Sequence, residues 1–591
     1  MTELAFIQKF YGALAGLVLA FWGLGQATLL ALRAPRVEDR WLGWALTTTL
    51  GLGLFIVLVQ ALAVAGQLHR PALFGLLILG WGLAAWRLWR AWCERERLLP
   101  GRTRPPRTWH ALDLVALWAV LMALAPTLVA PLAPPLQWDE LMYHLPHAKQ
   151  WAESGQLTVN GWLRFPWFPY NYDLLYACAL LLKGDVLAHL LHALAGWLVA
   201  VMVYRVGLRH GGRLTASLAT VTWLVLGGSL YGSAYIDLGI ALFLSASATA
   251  LWLWGQDRRR VSWLLVAAFI LGLAVGSKYQ ALIYLPFFGA VLLWQERRPS
   301  VWLRTAAVFL LPCLYWYVRN AVLTGDPFSP LGGRLFGFHD WNEWDLNAQL
   351  NDLKGVANWP PKILWPALLS LLMPALWRDR VWRGLLLLSA YATAVWWATS
   401  HYDRYLLPAF PLLALLSARV ISAGLARLWQ ACPRVVIEPR WVGQQLGLLL
   451  ALGGVGLLGQ YGWTASEKAL RQVAFTPEQR EVILTRALPA YPLVQRLHQP
   501  PGRRIYQFAL ENLTYYAPNP IWGEIFGPWR NHDRMLLGAK GLAERLRAEG
   551  FDTLLIRNDV LGMFKPDADF DQYFRSIGQA PGAEAFDLLP P

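Results

Sequence analysis

Residues 111–151 read ALDLVALWAVLMALAPTLVAPLAPPLQWDELMYHLPHAKQW. The stretch 111–134 is apolar and long enough to cross hydrocarbon, for which about 20 residues suffice. Asp139 and Glu140 then stand side by side where the chain leaves the bilayer. Adjacent carboxylates at such a boundary are costly to desolvate and repel each other, so they seldom serve packing. Two readings follow: a solvated loop start, or a general base acting on a substrate that is itself held in lipid.

The surrounding 591 residues are 56% hydrophobic and only 15% charged. A soluble chain of this size needs more charge to cover its surface. Apolar runs near the spanning length recur, which predicts a polytopic, all-α membrane protein. The first run, 10–32, is too long for a signal peptide and lacks a small-residue cleavage site, so it is read as a span. The net charge of +15 does not mark a nucleic-acid face, because the arginines sit in short loops between spans, as positive-inside topology requires. Cys93, Cys178, Cys313 and Cys432 are scattered with no CxxC spacing, so neither a zinc site nor a disulfide framework is implied.

The seven arginines of 87–107 mark the strongest cytoplasmic loop, and the basic loops at 33–40, 205–213, 257–260, 296–298, 378–383 and 427–440 fall into step with it. This predicts about fourteen spans, near 10–32, 41–66, 71–90, 110–133, 186–208, 214–232, 239–255, 261–277, 279–295, 301–320, 362–377, 384–400, 405–427 and 441–462. Residues 1–108 then form extra N-terminal spans with a basic loop, 109–463 a transmembrane core, and 464–591 a tail. The long segments 135–185, 321–361 and the tail all fall outside. Residues 172–183 are apolar but too short to cross, which predicts a helix lying in the interface. Trp162, Phe165, Trp167, Phe168 and Tyr170 fit an interfacial belt. In the tail, 503–510 and 552–557 read as strands and 536–549 as a helix, giving a small α/β domain on the outer surface.

With this topology, ionisable groups distant in sequence gather on the outer side: Asp237, Lys278, Arg319 with Asn320, Asp326, His401, Asp403, Arg404 and Arg164. Each has a plain alternative. Arg and Lys at span ends snorkel, Asp403 and Arg404 form a local pair, and Asp237 caps a helix. Together they suit a sugar attached to lipid through phosphate. The phosphate needs Arg or Lys to hold its oxygens and stabilise charge as it leaves. The acceptor hydroxyl needs a carboxylate base, and one in-line displacement would invert the anomeric centre. No cofactor is required on this reading. The alternative is a divalent metal held by Asp139, Glu140, His144 and His147, although Pro146 interrupts the helix and the spacing matches no ligand motif. Otherwise His144 is an interfacial residue able to contact substrate.

Asp139, Glu140 and Tyr143 at the end of a long span resemble the GT-C superfamily of integral-membrane glycosyltransferases. The likeness is to bacterial relatives of protein O-mannosyltransferases and of the lipid A aminoarabinose transferase. It continues in order through RFPWFPYNYDLLY (164–176), Asp237, GSKYQALIYLP (276–286), YVRNAVLTGDPFSP (317–330) and RYLLPAFPLLALL (404–416). The resemblance implies a GT-C-like core followed by an extracytoplasmic domain. It implies Asp139 as catalytic base, Glu140 as its partner positioning acceptor or phosphate, and Asp237 as the second acidic position. Tyr143, His144, Arg164, Tyr170, Lys278, Tyr279, Arg319, His401, Arg404 and Tyr405 are the expected substrate-binding residues. The implied donor is a polyprenyl-phosphate-linked sugar, the acceptor a lipid, glycan or protein, and the location the inner membrane. Two departures stand out. The Lys-Pro pair that relatives often carry in the aromatic loop is absent here, with Arg164 as the nearest substitute, and three spans precede the core. Competing readings are a flippase for lipid-linked sugars, which would show internal repeats around a midplane site, and a metal-dependent oligosaccharyltransferase, which would carry a WWD-type motif in its soluble domain.

Overall fold

The protein is described by a computed structural model covering residues 2–94, 111–356, 358–431, 439–497, 502–564 and 569–590, with side chains at 111–113, 428–431 and 439–451 excepted. Most of the basic loop 87–107, the loop 432–438 and Cys432 lie outside the described residues.

Long apolar helices dominate. They are α1 (Glu3–Ala31), α2 (Arg40–Val64), α3 (Arg70–Cys93), α4 (Ala111–Val129), α5 (Leu145–Ser154), α6 (Asp173–Leu182), α7 (Asp185–Gly211), α8 (Arg213–Gly227), α9 (Asp237–Gln256), α10 (Ser262–Val275), α11 (Leu285–Gln295) and α12 (Pro299–Thr324). Among the described residues, nine helical segments have the length and apolarity to cross a membrane. The chain is an integral, multi-pass membrane protein. Small residues let the first spans approach closely, as packing in lipid favours. A Cβ on Gly51 of α2 would fall on the carbonyl oxygen of Phe21 in α1, and one on Gly25 would fall on that of Thr47. Helix α7 lies at the centre, with 89% of its apolar window buried against α2, α8 and α9.

One expectation from hydropathy is corrected. The run 362–377 is no continuous helix: it breaks into turns at Lys362–Leu364, Pro366–Leu369, Ser370–Leu372 and Pro374–Arg378. Pro366 and Pro374 each lack an N–H to donate and so sit at helix starts. The run 172–183 is too short to cross, as its length indicated. It forms α6, whose residues Asp173 to Ala179 are buried against α5 and α7.

The carboxylate pair sits at a backbone irregularity. Asp139 precedes a π-helical turn, Glu140–His144, that runs straight into α5. Such turns add a residue to the helix and recur at functional sites. Pro146 does not interrupt this run, because it occupies the first turn of α5, where a missing N–H costs nothing.

After the helix Pro439–Leu470 the chain enters an α/β domain. Its five strands are β1 (Ile505–Phe508), β2 (Ile521–Trp522), β3 (Thr553–Arg557), β4 (Phe574–Ala580) and β5 (Ala583–Leu588), in the order β2-β1-β3-β5-β4. β1 pairs in parallel with β2 and β3, with Ile505 opposite Thr553, while β5 runs antiparallel to β3 and β4. The helix Gly538–Ala548 packs Leu542 and Leu546 on one face of the sheet. The other face carries Ile505, Leu555 and Ala585, and their hydrophobic cluster includes Leu141 of the π-turn. The backbone N–H of Tyr515 also donates to the Leu141 carbonyl at 3.0 Å. The C-terminal domain is thus seated on the turn that carries Asp139 and Glu140.

Candidate active site

Asp139 and Glu140, though adjacent, face different surroundings. Glu140 is fully buried. Its Oε1 accepts the N–H groups of Leu136 and Gln137, each at 2.7 Å, and its Oε2 accepts that of Ala234 at 2.6 Å and lies 2.9 Å from His189 Nε2. Every acceptor position facing these donors is in use, so this carboxylate ties the turn to the segment before α9.

Asp139 keeps an open side. Its Oδ2 takes the Arg404 guanidinium at 2.5 Å and the Tyr143 hydroxyl at 3.2 Å. No hydrogen bond to Oδ1 is seen among the described residues. Burial first, and the charge of Asp139 second, push the Tyr143 hydroxyl well above its ordinary pKa, so it stays protonated and donates. The N–H of Asp139 donates to the Tyr235 hydroxyl at 3.3 Å.

A second ion pair lies beside the first. Lys278 Nζ is 2.9 Å from Asp237 Oδ1. Asp237 does not cap its helix as the sequence allowed: Ile236 occupies the cap position, and the Asp237 carboxylate turns to Lys278. Nor does Arg404 pair locally, since Asp403 accepts only its backbone N–H while the guanidinium reaches Asp139. The Tyr405 ring lies between the cations, 4.8 Å from the Lys278 ammonium and 5.6 Å from the Arg404 guanidinium. Arg404 also lies 5.6 Å from the Tyr235 ring. Two carboxylates and two cations therefore meet around tyrosines at the mouth of α9.

The other expected contacts lie apart from this cluster or serve the walls. His144 Nδ1 is 2.6 Å from Asp173 Oδ1, and both side chains are buried. His147 approaches the Arg164 carbonyl at 2.9 Å, and burial pushes its pKa down to about 3, so it is neutral and its Nε2 donates. Tyr170 donates to the Phe165 carbonyl, and Tyr279 to the Ser329 carbonyl. Arg319 donates to Asn320 and lies 5.0 Å from the Trp316 ring. His147, Tyr170, Tyr279 and Arg319 brace the aromatic loop through the carbonyls of Arg164, Phe165, Trp167 and Phe168. His401 stacks on Trp397 at 4.6 Å and contacts its carbonyl, away from the two ion pairs. Four carboxylate and imidazole side chains weighed as metal ligands thus have four different partners. Among the described residues no group of three or more His, Cys, Asp or Glu gathers as a metal set.

Arg164, the nearest substitute for a phosphate-holding lysine, is engaged elsewhere. Its Nε donates to Glu524 of the C-terminal domain at 2.7 Å, with both side chains about nine-tenths buried. Phe526 packs on Trp341 at 4.8 Å, beside Phe165, and Arg530 grips Asp345 through two hydrogen bonds. The segment 524–530 thereby fastens the loop 164–170 to the segment 340–345. Breaking a buried pair leaves an uncompensated charge and typically costs about 3–5 kcal/mol. Glu524→Ala is expected to lower the unfolding midpoint and speed proteolytic release of the C-terminal domain, and Glu524→Ala with Arg164→Ala is expected to recover part of the loss. An unchanged midpoint in the single variant would remove this contact as a fastening.

Tyr235, His189, Asp173 and Glu524 escaped the sequence reading. Tyr235 and Asp173 had local signals, Tyr235 lying two residues before Asp237 in YGSAYID and Asp173 lying within RFPWFPYNYDLLY.

A family model described as dolichyl-phosphate-mannose-protein mannosyltransferase matches residues 167–342, and one described as SF2091/S2213 matches residues 479–587. The chain is 30% identical over 204 residues to the uncharacterized protein SF2093/S2215 of Shigella flexneri, covering 32% of this chain and 93% of that one. It is 29% identical over 143 residues to SF2092/S2214 of the same organism, covering 22% of this chain and 76% of that one. Among solved structures it is similar to ArnT from Cupriavidus metallidurans bound to undecaprenyl phosphate, with a TM-score of 0.51 at 15% identity, over 82% of this chain and all of that one. The chain belongs to the family of the Shigella flexneri protein SF2093/S2215; its core matches the mannosyltransferase model and it shares its fold with ArnT, the pattern of a GT-C-type membrane glycosyltransferase.

Proposed function

We propose that this glycosyltransferase moves a sugar from a polyprenyl-phosphate carrier to an acceptor hydroxyl, with inversion, at the extracytoplasmic face of the inner membrane. The observation that carries the proposal is the paired arrangement around Tyr405, Asp139 with Arg404 and Asp237 with Lys278. It offers both halves of the reaction: cations for a departing phosphate and a carboxylate oxygen for a proton. The acceptor oxygen forms a bond to the anomeric carbon as the bond from that carbon to the phosphate oxygen breaks. The electron pair of the broken bond goes to the phosphate, and the acceptor proton goes to Asp139 Oδ1. A donor phosphodiester carries one negative charge and the leaving phosphate gains another. Arg404 and Lys278 therefore bind the transition state more strongly than the ground state, which is what accelerates transfer. Asp237 holds Lys278 in place until the phosphate arrives. Glu140 positions Asp139 by fixing the π-turn.

The reading is tested with the full chain in vesicles containing a polyprenyl phosphate that bears a radiolabelled sugar, supplied with extracted envelope glycolipids and glycans. The expected result is label on an acceptor together with free polyprenyl phosphate. Label that crosses the bilayer still attached to its carrier would instead make the protein a transporter.

A further inference from the structure

A cleft of about 490 Å³ opens between the membrane core and the C-terminal domain, apart from the two ion pairs. One wall is Arg70, the first residue of α3, and Asp185, the first residue of α7. Both helices are apolar enough to cross a membrane, so these residues mark the edge of the hydrocarbon. The cleft therefore lies at head-group depth. Leu180 and Leu181 continue it along the core, and Tyr515 and Arg480 close it from the C-terminal domain.

Its charges are not equally committed. Arg480 and Asp185 satisfy each other, with two nitrogens on two oxygens at 3.3 and 2.5 Å, and the Tyr515 hydroxyl also donates to Asp185. Among the described residues Arg70 is bound through Nε alone, to the Leu181 carbonyl at 2.6 Å, which fixes the guanidinium and leaves its two terminal nitrogens available. Among the described residues Lys149 makes one hydrogen bond, to the Tyr515 carbonyl at 3.3 Å, from an ammonium with three donors. Two cations with spare donors thus share an open cleft with one further carboxylate, the exposed Glu153. A fixed guanidinium fork beside an ammonium is suited to phosphate.

We infer that this cleft binds the phosphate of an anionic membrane lipid, held by Arg70 and Lys149 with its chains along Leu180 and Leu181, at a site separate from the donor's. A lipid seated there would touch α3, α5, α6 and the C-terminal domain at once. The site does not depend on the reaction proposed above.

The test is native mass spectrometry of the full chain released from nanodiscs of phosphatidylcholine containing phosphatidic acid, against nanodiscs of phosphatidylcholine alone. The expected result is one retained phosphatidic acid, with retention at least about tenfold weaker in Arg70→Ala/Lys149→Ala, as loss of charge-assisted hydrogen bonds predicts. Arg70→Lys/Lys149→Arg keeps both charges and is expected to retain the lipid, as is Asp139→Asn. Equal retention in the double alanine variant overturns the inference. So does displacement of the lipid by inorganic phosphate at comparable concentration, which would assign the cleft to a soluble phosphate.

Discussion

Asp139→Asn is expected to lower the turnover of sugar transfer by about 10²–10⁴-fold, the range associated with removing a positioned general base. The side chain keeps its size, and an amide oxygen in place of Oδ2 still accepts from Arg404 and Tyr143. What disappears is an oxygen able to take the acceptor proton. The same substitution removes one negative charge from beside Arg404, 2.5 Å away. Donor affinity is therefore expected to hold or to rise while turnover falls, a split that a misfolded protein does not give. Turnover and donor binding measured on one reconstituted preparation check both arms. Wild-type turnover in the variant would take the base assignment away from Asp139. Glu140 does not offer so clean a test. A glutamine there would turn an amide NH₂ toward backbone N–H donors in a fully buried site, and each buried group left unpaired costs about 1–3 kcal/mol.

The two acidic neighbours illustrate what a sequence discloses. Their type and their place at the end of a span were visible, and so was the gathering of Asp237, Lys278 and Arg404 on one face, because arginine-rich loops set the topology and the order of motifs resembled GT-C enzymes. Which of the pair is open to substrate was not visible. That depends on the backbone N–H groups of Leu136, Gln137 and Ala234, which leave no mark in side-chain patterns. The engagement of Arg164 escaped for a related reason. Its partner Glu524 lies in another domain, and no periodicity links residues so far apart. The apolar run 172–183 had the composition of an interfacial helix, but composition does not say what covers it, and here α5 and α7 do. The tail was legible in its two central strands and its helix. The hairpin of β4 and β5 was not, because its alternation is interrupted by polar residues and by a shift of register between Ser576 and Gly578.

Arg404→Ala is expected to raise the donor KM and lower turnover together, reducing kcat/KM by about 10²–10³-fold, the loss typical of removing one donor to a developing anion. The size follows from what Arg404 does at each stage. Its charge is matched by Asp139, as that of Lys278 is by Asp237, so these four side chains together carry no net charge. An arriving donor phosphate competes for both cations. When Arg404 turns to the phosphate, Asp139 is released on the side where the acceptor hydroxyl must lose its proton. Donor binding should therefore precede productive acceptor binding, and initial-rate patterns should show an ordered mechanism with the donor first. Arg404→Lys keeps the charge but loses the planar fork that lies over Tyr235 and Tyr405, so it is expected to fall between wild type and alanine. In Arg404→Ala the ordering should weaken, because Asp139 no longer has to be released. A variant with wild-type donor KM and turnover would show that the phosphate is held elsewhere, and the pairing of Arg404 with Asp139 would then serve only to join the start of the helix at 403 to the π-turn.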